Sequence, residues 1–62
     1  MTLKEFKEMD IFKTAKEVKY YNRFGDNVTS LITKMSTTIT NRIVVIGTSF
    51  NADGTIDIDL SF

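Results

Sequence analysis

The side chains best spaced for chemistry lie near the C-terminus, where Asn51-Ala52-Asp53-Gly54-Thr55-Ile56-Asp57 has the middle of a calcium loop. Oxygen donors stand at loop positions three and five, Gly at six, Ile at eight and Asp at nine when Ser49 is counted as position one. Both ends of that loop are wrong: Ser49 stands where the first Asp belongs, and Leu60 where a bidentate Glu must close the shell. Period-two alternation on either side also replaces the flanking helices. The string therefore reads as a hairpin turn, and no metal or other cofactor is expected.

Asp57 and Asp59 are two residues apart, so on a strand they share a face at about 7 Å, from a rise of ~3.4 Å per residue. Such a pair could work as acid and base or hold a cation. A solvated outer face that discourages edge-to-edge aggregation is the simpler reading. The chain has no His and no Cys, which removes the usual nucleophile and base pairs and the soft ligands of a zinc site. Its three glycines are scattered, so no loop is built to cradle phosphate. A non-enzymatic role is expected.

A second constellation interleaves bases and aromatics: Lys16, Lys19, Tyr20, Tyr21, Arg23 and Phe24. On a strand, Lys19, Tyr21 and Arg23 point one way. Bases beside an aromatic are how single-stranded nucleic acid is held, by neutralising phosphate and stacking bases. Lys16, Lys19, Tyr21 and Arg23 are thus the candidate surface for a protein partner or for nucleic acid, with Tyr20 and Phe24 assigned to the core. A small anionic nucleotide held between subunits near Lys16, Lys19 or Arg42 is a third possibility.

The elements that position these residues follow from pattern. Thr2-Leu3-Lys4-Glu5 is a capping box, in which hydroxyl and carboxylate satisfy each other's backbone amides, so a helix begins at Leu3 and ends near Asp10 to Phe12. Leu3, Phe6 and Met9 form its apolar stripe. From Lys16 the period becomes two, predicting a strand that carries Val18, Tyr20, Asn22 and Phe24 on one face. Gly25-Asp26-Asn27 then reverses the chain.

Residues 28–40 fit two patterns. Val28, Leu31, Ile32, Met35 and Ile39 make a helical stripe, while Leu31, Thr33, Met35, Thr37 and Ile39 alternate. The five threonines favour strand, because β-branched side chains suit a pleated surface. Ile43 to Phe62 reads as a hairpin about Asn51-Ala52-Asp53-Gly54. Its core-side pairs are Phe50 with Ile56, Thr48 with Ile58, Ile46 with Leu60 and Val44 with Phe62. Ser49–Asp57, Gly47–Asp59 and Val45–Ser61 occupy the other face, where Ile43, Val45 and Gly47 offer a candidate dimer contact.

The expectation is an α+β fold in one domain, residues 1–62: an N-terminal helix packed on a small antiparallel sheet of about four strands that ends in a β-hairpin. A core of this size supplies only ~3–5 kcal/mol, and with no disulfide or zinc available, self-association is the natural reinforcement. Net charge is zero, which disfavours a general polyanion binder, although residues 1–24 are net basic and residues 51–62 carry only acids. No segment has the layout of a signal peptide or the ~20 apolar residues of a membrane span, so a cytoplasmic protein is expected, with no membrane partner.

Thr2-Leu3-Lys4-Glu5-Phe6, then a strand ending in the Gly25-Asp26-Asn27 turn, then a C-terminal hairpin: this layout resembles a class of very short accessory proteins from phages of Gram-positive bacteria. The resemblance covers the whole chain in arrangement and carries over no site residue. It implies an inhibitor of a host protein, such as a defence protein, acting by stoichiometric binding as a homodimer in the host cytoplasm.

Overall fold

A computed structural model describes residues 1–62. Its first helix, α1 (Leu3–Lys7), starts where the capping box predicts: the Glu5 amide donates to Thr2 Oγ1 at 3.3 Å and the Thr2 amide to Glu5 Oε1 at 2.9 Å. The helix stops after five residues because Met9 is extended (φ −75°, ψ 143°), and the chain restarts as α2 (Asp10–Lys13). Phe6 and Phe12 meet edge to face across the break, with ring centres 5.9 Å apart, which holds the two turns together.

Strand β1 (Glu17–Tyr21) follows, and the chain reverses at Gly25, whose φ of 85° is open to glycine without strain. Two short helices come next, α3 (Thr29–Lys34) and α4 (Thr37–Thr40), and then the hairpin of β2 (Val45–Phe50) and β3 (Thr55–Leu60). The sheet order is β1-β3-β2, with β1 parallel to β3 and β2 antiparallel to it. A parallel pair needs a long connection, and residues 22–54 supply it.

Three expectations are corrected here. Residues 28–40 form the two short helices α3 and α4 and no strand, so the sheet has three strands where about four were expected. The threonines that favoured strand serve other ends: Thr29 Oγ1 accepts from the Tyr20 amide at 2.9 Å, and Thr33 donates back to the Ser30 carbonyl at 3.0 Å. The Ser36 side chain caps α4 by accepting from the Thr38 amide, and the Asn27 side chain accepts from the Thr29 amide in the turn that leads into α3. Second, the sheet is mixed, not antiparallel throughout. Third, Phe24 is 72% exposed in the turn after β1 and takes no part in the core.

All seven buried apolar side chains form one cluster: Leu3, Phe6, Tyr20, Ile32, Ile56, Ile58 and Leu60. Ile56, Ile58 and Leu60 alternate along the central strand, and Val18 and Tyr20 stand beside Ile56 and Ile58 on β1. Leu3 and Phe6 from α1 and Ile32 from α3 complete the same cluster. The side chains between them, Lys19 and Tyr21 on β1 and Asp57 and Asp59 on β3, therefore look away from the core.

Candidate functional site

The calcium-like string forms the hairpin turn and spends its oxygens there. The Asn51 amide donates to the Thr55 carbonyl at 3.0 Å and the Gly54 amide to the Asn51 carbonyl at 3.0 Å, with Gly54 at φ 90°. Asp53 Oδ1 accepts from both the amide (3.0 Å) and the hydroxyl (2.7 Å) of Thr55. These bonds hold the Asp53 carboxyl below its ordinary range. Asn51 Nδ2 reaches Thr55 Oγ1 at 2.8 Å and Asp57 Oδ2 at 3.4 Å. No three His, Cys, Asp or Glu side chains converge where a metal ion would need them.

On the outer face of the sheet, register sets Lys19 beside Asp57 and Tyr21 beside Asp59, with Ser49 and Gly47 flanking the two carboxylates from β2 on the far side. The two candidate β1 residues thus share a face, but each lies next to a carboxylate of the central strand. That alternation offsets the positive potential a phosphate backbone needs and suits a partner with mixed charge. The other two candidates lie apart. Arg23 follows the strand: its amide bonds the Phe62 carbonyl at 2.8 Å, and its guanidinium lies 4.9 Å from the ring centre of Phe24. Lys16 runs along the hairpin turn, its amide bonding the Gly54 carbonyl at 2.9 Å and its side chain lying against the glycine.

Arg42 is elsewhere. It lines an open polar cleft of about 640 Å³ with Thr2, Lys4, Thr38 and Asn41, at the meeting of α1 and α4. Lys7 Nζ donates to Asn41 Oδ1 at 3.3 Å at that junction. Lys16 and Lys19 take no part in this cleft, so the alternative places expected for an anionic ligand are separate, with Arg42 at the cleft.

The expected dimer contact of Ile43, Val45 and Gly47 is divided by a bulge. Phe50–Ile56, Ser49–Asp57, Thr48–Ile58 and Gly47–Asp59 pair as the turn predicts, and then the register shifts at Ile46, so that Val45 faces Leu60 instead of Ser61. An extra residue on one strand rotates everything upstream of it. Val45 and Ile43 consequently pack on the core, while Gly47 stays on the outer face, where a Cβ would come 3.0 Å from Asp59 Oδ2. The three cannot act as one patch.

The bulge and the short helices expose a surface that pattern reading missed. Phe50 and Thr48 point to the core side of β2, yet α1 and α2 break at Met9 and do not roof them. Phe50 is 52% exposed, Ile46 58%, Met1 59% and Met9 40%. With Phe6 and Val45 they line an apolar groove of about 390 Å³. Alternation alone assigned Phe50 and Ile46 to the interior. The available signal was the mismatch between the apolar residues of β2 and the single short stripe of Leu3, Phe6 and Met9 meant to cover them.

The backbone beside this groove is also unpaired. At the start of β2, Met1 to Leu3 cover the edge: Val45 N donates to the Met1 carbonyl at 2.8 Å, Leu3 N to the Ile43 carbonyl at 2.8 Å, and Thr2 bridges Val44. This cover ends before Gly47. β1 differs, because Asn27 to Thr29 lie along the end of its outer edge, with the Val28 amide bonding the Tyr20 carbonyl at 2.7 Å. None of the helices is long and apolar enough to cross a membrane. No protein-family model matches the chain, and no characterised protein or solved structure similar to it was found.

Proposed function

We propose that this protein is a non-enzymatic protein-interaction module, of the host-inhibitor type that its resemblance to phage accessory proteins implies. The observation that carries the reading is the groove of Met1, Met9, Ile46 and Phe50, a contiguous apolar surface that the fold makes and leaves uncovered. Large apolar groups gathered beside an unpaired strand are stabilised when another protein surface removes them from water, at about 25 cal/mol per Å². The outer face, with Lys19, Tyr21, Asp57 and Asp59, is then the polar surface presented to the host protein. Its mixed signs favour selective docking over general polyanion binding.

Affinity capture from a bacterial lysate, comparing the wild type with Phe50→Glu and with Tyr21→Ala/Lys19→Ala, tests the proposal. The wild type is expected to retain one host protein in stoichiometric amount. Each variant should lose it while its circular dichroism is unchanged. Recovery of nucleic acid alone, or capture indifferent to both variants, would overturn the reading.

A further inference from the structure

Resting on the reading of the β2 flank as an association surface, we propose that the flank is covered by a second copy of this chain. The two β2 strands pair edge to edge, antiparallel, about Thr48, and make one six-stranded sheet. The backbone supplies the first reason. Thr48 and Phe50 face Ile58 and Ile56 at the non-bonded positions of the β2–β3 ladder, since Asn51 bonds Thr55 and the bonded pairs alternate from there. Their amides and carbonyls therefore point outward along the free edge. Unlike the start of β2 and the end of β1, this stretch has no covering segment.

The side chains supply the second reason. Natural edge strands are usually blunted by charge or proline, but the run from Ile43 to Asn51 contains neither. A heterologous strand would have to match it. A second copy matches it by symmetry, because pairing about Thr48 sets Phe50 of each copy opposite Ile46 of the other and joins the two apolar grooves. Ile46 and Phe50 border the same groove, so both contacts lie along it.

Charge fixes the direction. The nearest charged residues on either side of the strand are Arg42 and Asp53. Antiparallel pairing brings opposite signs together at each end, whereas parallel pairing would set like against like. The assembly is a closed, twofold interface in which the same patch serves both partners. It also places two copies of the outer face on one continuous sheet, so the host protein would meet a doubled surface.

The test uses the untagged chain, followed by sedimentation equilibrium and by amide hydrogen exchange over a dilution series. A monomer–dimer equilibrium is expected, with the Thr48 and Phe50 amides protected in the dimer and exposed on dilution. Thr48→Pro removes an outward amide without touching the bonds to β3, and Ile46→Lys places a charge at the junction. Each should weaken the dimer by roughly tenfold or more, with Ile56 and Ile58 amide protection retained. A chain that stays monomeric up to roughly millimolar concentration, or a dimer indifferent to both variants, overturns the proposal. So does protection of the β2 edge that appears only when a host protein is added. A monomer whose Phe50→Glu variant still loses host capture would end this inference and leave the association surface standing; an intact dimer whose host capture ignores Phe50→Glu and Tyr21→Ala/Lys19→Ala would do the reverse.

Discussion

Tyr20 ties the fold to pH. It is 6% exposed, and burial raises its phenol above the ordinary value of 10.0, because the charged form is poorly solvated there. A raised acid is held neutral in the folded chain while the unfolded chain ionises first. Stability is therefore intact below pH 10.0 and falls as pH rises past it. Chemical denaturation followed from about pH 9 to about pH 11 should show this loss, and Tyr20→Phe should abolish it. Gly54 tests the turn. At φ 90°, with a Cβ 3.2 Å from Lys16 Cγ, Gly54→Ala should cost about 1 kcal/mol or more in denaturant unfolding. Such single positions were legible in the sequence wherever local backbone chemistry decides them: the Asn51 to Gly54 turn, the Gly25 reversal and the Thr2–Glu5 box. Phe24 was not, because strand alternation continues on paper through Asn22, whereas Asn22 Oδ1 accepts from the Phe24 and Asp26 amides and turns the chain.

At the scale of elements, α1 has five residues and depends on its cap. The bonds from Thr2 hold the Glu5 carboxyl below its ordinary value of 4.5. A depressed acid contributes stability above that value and loses it as pH falls through the lower folded one. Thr2→Ala should destabilise the protein by about 1 kcal/mol near neutral pH. The deficit should shrink on acidification, as denaturation at a series of pH values would show. The hairpin was readable because its register is local, set by a turn and an alternating face. Residues 28–40 were not, since β-branched content and helical spacing conflict there. The outcome rests on the Asn27 turn into α3, the Ser36 cap of α4 and Ile32 reaching the core, contacts that pattern alone does not weigh. The bulge at Ile46 was likewise invisible, because it answers to the packing of Val45 on Leu60 and to the bridge from Thr2.

For the whole molecule, mixed topology was hidden for a related reason: strand direction depends on which strand lies in the middle. β3 takes that place with its three buried residues, Ile56, Ile58 and Leu60, and β1 joins it in parallel from 38 positions away in the register Glu17 to Thr55. Only eight of 62 residues are buried, so the proposed association would add much to a core worth ~3–5 kcal/mol. The candidate partner surface was legible only in part. Lys19 and Tyr21 do share a face, but their carboxylate neighbours come from a strand 38 residues downstream, and the apolar groove from elements that fail to meet.

The bridge from Thr2 to Val44 runs antiparallel to β2, so a segment joined ahead of Met1 would be aimed along the free edge. A short strand grafted there would reach Thr48 and Phe50 from within the same molecule, at an effective concentration on the order of millimolar. Met1 is thus a ready point of attachment for a tethered competitor, and a graft of alternating polar residues would block the proposed pairing of two copies without altering a single position of the fold.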